Sequence, residues 1–375
     1  MGVGDWLRLE VDAGALRANA AAFRAHVPSA ARLLTVVKSD GYGHGAVLAA
    51  RAFLAGGADV LGVHSVREGL ELREAGLTAS VLVLGPSSRD EVAAASAADL
   101  EITVPSLELA REAAAAGVAV RAHLKVETGV NRQGIVEDEL EAVLEALEGL
   151  ELVGLASHFA DIEDTTDHGF ATAQRRRFDA WTERLAAAGR VGLTRHMSCS
   201  AAAVLWPQAP AEMVRVGVAA YGVWPSRETL VSARAAGHAG LELRPAMTWR
   251  CRIGQIRRVP AGETVGYGRT WKAPVDSRIA VLPVGYADGY LRALSGRAHV
   301  LVGGRRAPLV GRVCMNLCMA DVTHVPEVRA GDDAVLLGAQ GDEHITAEQM
   351  AGWLDTIPYE VLVLPGRSWL RVGKD

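Results

Sequence analysis

The sequence predicts an α/β plus β architecture, an N-terminal (β/α)8 TIM-like barrel followed by a mainly β C-terminal domain, and three observations carry that prediction. Between Leu33 and Val216, eight short apolar runs alternate with stretches rich in Ala, Glu, Leu and Arg that have helical spacing. No G-x-G-x-x-G turn follows the first run, so the signature of an open dinucleotide-binding sheet is missing. From about residue 240 the texture changes to strand-like segments separated by Gly-rich turns, with little helix between them. The expected domains are residues 12–240 for the barrel and 241–375 for the β domain, with the N-terminal strand within residues 1–11 crossing over to join the latter.

Taken in order, Trp6 to Val11 alternates like a strand, and ALRANAAAFRAHV after Asp12 has the composition of a helix. LLTVV from Leu33 is apolar or β-branched throughout, as suits a strand buried on both faces, and it delivers Lys38 to a glycine-rich loop. A helix near Ala46 to Ala55, a strand Val60 to Val63, a helix near Val66 to Ala75 and a strand Val81 to Leu84 continue the alternation. Ile102 to Val104, Val120 to Val126, Leu152 to Ala156, Arg195 to Met197 and Met213 to Val216 complete the strands. Beyond them TWRCRIGQIRRV, RIAVLPVGYADG, AHVLVGGRRAPLVGRV and DAVLLG read as strands, with Gly303-Gly304 as a hairpin turn between Val302 and Arg305.

A chain of 375 residues, half of them hydrophobic, can bury a large core in two domains. Its net charge of −5 leaves no basic footprint for a nucleic acid. Charged residues break every apolar run short of membrane-spanning length, and MGVGDWLRLEVD has no leader-like apolar region, so a cytoplasmic protein is expected. The four cysteines, Cys199, Cys251, Cys314 and Cys318, are too few for a disulfide framework and lack a partner set for zinc, so they read as packing thiols.

The residues with chemical potential fall at the C-terminal ends of the expected strands, where barrel enzymes build their sites. Lys38 ends the first, Lys125 the fifth with Arg132 in the loop beyond, His158 the sixth, Ser200 the seventh, and Arg215 and Gly217 the eighth. Each alone has an ordinary explanation: Lys38 as a snorkelling strand end, His158 as a satisfied core histidine, Lys125 as a salt-bridge partner of Glu127 or of acids paired with Arg132, Ser200 as a helix cap. Their collection on one rim favours a site. Gly41, Gly43 and Gly45, alternating with Tyr42 and His44, point to backbone bent for close approach. Ser200 at a helix start beside the small residues Gly217-Val218-Ala219 suits a phosphate, and among phosphate-bearing cofactors pyridoxal 5'-phosphate (PLP) is the one that needs a lysine.

The words VVKSDGYGHG, KVETGVNRQG, SHFA, HMSCSAA, MVRVGVAAYG, GYG, PVGYADG, VGRVCMN and PYEV occur in that order, and through them nearly the whole chain resembles the alanine racemases. The resemblance implies a PLP-dependent amino-acid racemase supplying D-alanine for peptidoglycan, a homodimer with shared active sites. Carried over by residue, it makes Lys38 the lysine that bears PLP, with Tyr42, Ser200, Gly217, Val218 and Tyr359 near the phosphate, Arg215 facing the pyridine nitrogen and His158 against the ring. Tyr267 and Met315 would enter from the partner subunit, with Lys38 and Tyr267 as the two acid/base groups. Arg132 would bind near the cofactor phenolate and the substrate carboxylate, held by Lys125, which is carbamylated in many members; Tyr286 would lie at the entrance.

Three positions depart from the family words: Asn316 where Asp is usual, Cys199 where Asn is usual, and Glu127 where Asp is common. Asn316 stands next to Met315, so a serine or broader-specificity racemase is the alternative within the fold. A decarboxylase of similar architecture would carry a Gly triplet, which is missing, and a non-catalytic PLP carrier would lack the β domain. A metal site built from His158, Asp161, Asp164, Asp167 and His168 is disfavoured, because acids three apart more often mark a solvated helix start.

Overall fold

The computed structural model describes residues 6–208, 211–238, 240–365 and 371–374. The chain forms two compact units. One comprises Gly14–Gly41 and Ala46–Arg244; the other comprises residues up to Ala13, Tyr42–Gly45 and residues from Pro245 onward.

Strand β1 (Leu7–Asp12) opens the chain and belongs to the second unit. The first unit is a barrel of β2 (Arg32–Val36), β3 (Val60–Val63), β4 (Ser80–Val83), β5 (Glu101–Val104), β6 (Arg121–Lys125), β7 (Glu151–Ala156), β8 (Thr194–His196) and β9 (Met213–Val216). All pairs are parallel, in the order β8-β7-β6-β5-β4-β3-β2-β9. The pairing of β2 with β9 nearly closes the ring, which lacks a ladder only between β8 and β9. There the Glu212 N–H donates to Arg195 O at 3.2 Å, and the Glu212 carboxylate pairs with the Arg195 guanidinium at 2.7 Å. β3, β5 and β9 are buried along their whole length, as expected for strands covered by helices on one face and packed into the barrel on the other. Helices between the strands start on serine caps where the sequence supplies them. Ser65, Ser106 and Ser226 each accept a first-turn N–H, and Glu68 completes a capping box with Ser65.

In the second unit, β10 (Met247–Arg252) pairs antiparallel with β1, Leu7 opposite Cys251. β11 (Gln255–Val259), β12 (Thr264–Val265), β13 (Trp271–Lys272), β14 (Ser277–Leu282), β15 (His299–Val302), β16 (Arg305–Pro308), β17 (Cys318–Asp321), β18 (Asp333–Gln340), β19 (Glu343–Ile345) and β20 (Arg371–Lys374) follow. The main sheet runs β16-β15-β18-β10-β1-β20, with β19 on β18; β11-β14-β17 form a second sheet and β12-β13 a ribbon. The expected hairpin is present: Gly303 and Gly304, at φ 59° and 72°, join β15 to β16 with Val302 opposite Arg305. Two short helices, Ala347–Leu354 and Pro358–Val363, were not anticipated from the Gly-rich texture. Among the described residues no helix is long and apolar enough to cross a membrane.

Candidate active site

β2 ends at Val36, and the Val37 N–H still reaches Gly62 O at 2.7 Å, so Lys38 emerges where the ladder stops. The backbone then turns left-handed. Ser39, Asp40 and Gly41 have φ of 54°, 54° and 63°, and Tyr42 has 50°. That conformation costs about 1–2 kcal/mol for each residue with a Cβ. Local bonds hold it: the Ser39 N–H donates to Glu68 Oε1 at 2.8 Å, the Ala46 N–H to Asp40 Oδ1 at 3.0 Å, and the Gly41 N–H to Val37 O at 2.8 Å. Strain held in this way, directly after a strand-end lysine, is characteristic of functional loops.

Cations gather at this rim. Burial foremost, and then the Arg132 charge, lower the Lys38 pKa. Burial, then Arg215 and Arg132, bring Lys125 down to about 8. Burial and the same arginines push His158 well below its ordinary value, so it is neutral at pH 7. The sequence-based alternative for Lys125, an ion pair with Glu127, is not what forms. The Lys125 Nζ donates to Gln133 Oε1 at 3.3 Å, while the Glu127 carboxylate accepts the Gly129 N–H of its own loop. An open cavity of about 500 Å³, lined in part by Arg132, Asn131, Gln133 and Glu127, adjoins this loop.

Arg215 lies on β9 and is 8% exposed. Its Nη2 donates to Ser157 O at 2.6 Å, Met197 O at 3.2 Å and His158 Nδ1 at 3.3 Å, and its Nη1 to His196 Nδ1 at 2.6 Å. Burial lowers its pKa to about 10, which leaves it charged at neutral pH. Next to it, Ser200 is the first residue of the helix Ser200–Leu205. Ser200 does more than start a helix, because its Oγ accepts N–H groups from Gly217 at 2.9 Å and Ala219 at 3.4 Å. Val218 is buried in the tight turn Val218–Tyr221, and the Tyr221 hydroxyl ties that turn to Val36 O at 2.8 Å. A hydroxyl and converging amides at the ends of β8 and β9 are a donor set that fits a phosphate. Cys199 precedes it with its thiol pushed up to about 11 by burial, a packing group rather than a nucleophile.

The remaining candidates lie in the second unit. The Tyr42 and Tyr359 rings are 6.2 Å apart. Segment Tyr42–Gly45 packs on the helix Pro358–Val363 so closely that a Cβ on Gly43 would meet Leu362 O at 2.1 Å. Tyr267 stands 72% exposed on a turn flanked by Gly266 and Gly268, where an added Cβ would meet Met319 Cε at 2.9 Å and Arg312 Cζ at 3.1 Å respectively. Met315, 56% exposed, and Tyr286 share the adjoining corner, where the N–H groups of Tyr286 and Ala287 donate to Cys314 O and Met315 O at 3.1 and 2.9 Å.

Sequence reasoning missed Gln133, His196, His123 and Glu101. The last three form a buried series of hydrogen bonds inside the barrel, ending on Arg215. The available signal was a polar residue within otherwise apolar strand words: the histidine of RAHLK, that of TRH, and the glutamate before ITV.

Comparison with known proteins agrees with this geometry. A family model of the alanine racemase N-terminal domain matches residues 11–225, and one of the alanine racemase C-terminal domain matches residues 246–372. The chain is 42% identical over 369 residues to the alanine racemase of Desulfosudis oleivorans, covering 94% of this chain and 93% of that protein. It is also 42% identical to that of Symbiobacterium thermophilum, over 361 residues, again covering 94% and 93%. Among solved structures, alanine racemase from Bacillus anthracis with bound L-Ala-P superposes with a TM-score of 0.92 at 33% identity, covering 100% of this chain and 96% of that one. With both domain models matched in order along residues 11–225 and 246–372, and relatives 42% identical over 94% of its length, the chain belongs to the alanine racemase family.

Proposed function

We propose that this protein interconverts L-alanine and D-alanine with PLP as its cofactor, as a cytoplasmic homodimer supplying D-alanine for peptidoglycan. The observation that carries the reading is a strand-end lysine with a lowered pKa, set among Lys125, Arg132 and Arg215 and a short distance along the rim from the Ser200–Gly217–Ala219 donor set. PLP, when bound, supplies the electron sink that makes the α-proton of an amino acid labile. Lys38 would hold it, Ser200 with the Gly217, Val218 and Ala219 backbone would take its phosphate, and neutral His158 would lie against its ring; the resemblance adds Tyr42 and Tyr359 to the phosphate-binding residues.

Racemisation removes a proton from one face and returns one to the other. Lys38 serves one face, and its lowered pKa provides neutral amine nearer to physiological pH than an ordinary lysine would. The Tyr267 hydroxyl, brought by the partner subunit, serves the other. Arg132 takes the substrate carboxylate, with Met315 and Tyr286 on the approach. Arg215 would face the pyridine nitrogen as a donor that keeps its own proton, so the cofactor there would be a weaker electron sink, less prone to side reactions such as transamination.

Incubating the purified protein with single L-amino acids and reading product chirality tests the activity. L-Alanine is expected to racemise fastest, and a panel in which no amino acid racemises would refute it. The holoenzyme should be yellow, and borohydride should fix the cofactor to Lys38; label mapping to another lysine would remove Lys38 from its role. The Asn316 departure, on an exposed loop beside Met315, favours some breadth of substrate. Asn316→Asp should shift the alanine-to-serine ratio of kcat/KM, and an unchanged ratio would mean that this wall does not read the side chain.

Lys125 is suited to carbamylation, since only neutral amine reacts with CO2. At a pKa of about 8, roughly a tenth of it is neutral at pH 7 and half at pH 8, whereas an unshifted lysine is almost wholly protonated. The carbamate would place an anion between Arg132 and Arg215. Enzyme equilibrated with 13C-bicarbonate should show a carbamate resonance that is absent from Lys125→Ala; its presence in both would assign it elsewhere.

A further inference from the structure

A line of buried polar groups crosses the interior of the barrel, where branched apolar side chains are the usual filling. It begins at Arg215, whose Nη1–H donates to His196 Nδ1 at 2.6 Å. A guanidinium has no acceptor, so Nδ1 must offer its lone pair and the His196 proton sits on Nε2. His196 Nε2 lies 2.9 Å from His123 Nδ1, which is thereby the next acceptor. The His123 proton is then on Nε2, 2.8 Å from Glu101 Oε2. Every proton in the series points from Arg215, at the C-terminal end of β9, toward Glu101, the first residue of β5 at the opposite mouth. From there Arg121 links Glu101 to the exposed Asp99, at 3.5 and 2.9 Å.

The barrel is shaped around this line. A Cβ on Gly154 would lie 1.9 Å from His123 Nδ1, and the β6–β7 register shifts between Ala122 and His123. The charge states agree with the assigned polarity. Burial and Arg215 keep His196 far below its ordinary pKa, hence neutral; Glu101, though burial works against it, is held below the usual carboxylate range by the His123 hydrogen bond and the Arg121 charge. A buried polar series of this kind is costly unless every member is satisfied, and its two ends admit only one direction of donation.

We propose that Glu101 and His123 are positioning residues for Arg215: the carboxylate at the far mouth of the barrel accepts the last proton of the series and so, together with the guanidinium at the other end, holds two imidazoles in one tautomer, and through them keeps the Arg215 guanidinium aimed. The effect on turnover rests on the racemase reading above, whereas the tautomers do not.

The test uses 15N-histidine-labelled holoenzyme, with long-range 1H–15N spectra that separate Nδ1–H from Nε2–H imidazoles, alongside steady-state kinetics with alanine. In the wild type, His123 and His196 should both be Nε2–H. Glu101→Gln retains an acceptor and should keep both tautomers with a small loss of kcat. Glu101→Leu removes the acceptor; His196 should become a tautomer mixture and kcat should fall about tenfold or more at nearly constant KM, the size usual for a residue acting through another. Gly154→Ala displaces His123 without changing any charge and should reproduce the His196 change, which keeps the test alive if Glu101→Leu does not fold. Unchanged His196 tautomers in Glu101→Leu and Gly154→Ala, or equal kcat losses for Gln and Leu, would overturn the inference. If the tautomers respond as expected in a protein that racemises no amino acid, the racemase reading fails and the positioning role stands.

Discussion

Mixed dimers that pair a Lys38→Ala chain with a Tyr267→Phe chain are expected to recover racemase activity that neither variant has alone. Each homodimer lacks one of the two acid/base groups at both sites, a loss of roughly 10²–10⁴-fold. In the mixed dimer one site carries both defects, while the other combines an intact Lys38 with an intact Tyr267. Random exchange makes roughly half of all dimers mixed, each with one working site of two, so total activity should reach about a quarter of wild type for a twofold-symmetric assembly. The exposure of Tyr267 and Met315 on a single chain, at 72% and 56%, is what a surface completed by a partner would show. Verified mixed dimers without recovery would place the tyrosine in its own chain's site and refute the shared-site reading.

Arg215→Met is expected to lower the unfolding free energy of the cofactor-free protein by about 2–4 kcal/mol. Two effects oppose each other. Removing a buried guanidinium relieves the burial penalty that depresses its pKa, which favours methionine. Against this, Ser157 O, Met197 O and His196 Nδ1 lose donors at 2.6, 3.2 and 2.6 Å, and a buried acceptor left unpaired costs about 1–3 kcal/mol. The orphaned acceptors outnumber the one relieved charge. They also sit where the barrel is least tied, because Arg215 projects from β9 across the β8–β9 seam that has no ladder. Denaturant unfolding checks this, and a loss below about 1 kcal/mol would mean that water or a shifted Lys125 replaces the guanidinium without difficulty.

The barrel was legible because its strands are covered on both faces, and so appear as uninterrupted apolar runs such as LLTVV and VLGV. The same logic hid the interior polar series. Glu101 and His123 interrupt that pattern, and a polar residue in a strand word is read as an edge or a strand end until its partners on neighbouring strands are known. The rim residues were legible through strand-end position, but the left-handed backbone at Ser39 and Asp40 was not. Glycines in the neighbouring words signalled a bend, whereas a serine and an aspartate with positive φ are imposed by Glu68 and Ala46, contacts that lie 29 and 6 residues away. In the β unit the separate strand words were readable, while the order β16-β15-β18-β10-β1-β20 depends on register between distant segments, on which local pattern is silent.

The place of β1 has a consequence for how the protein is made. β1 takes β10 as its antiparallel neighbour and β20, which ends at Lys374, as its parallel one. β1, synthesised ahead of both, therefore waits for β20 before both of its edges are paired. All eight barrel strands are synthesised by Val216, so the barrel sheet has its full complement while β1 is still an unpaired strand with an apolar face of Leu7, Leu9 and Val11. A nascent chain stalled between Val216 and Met247 carries that strand with no partner on either side, which is the interval in which a chaperone or a neighbouring nascent chain has most to hold.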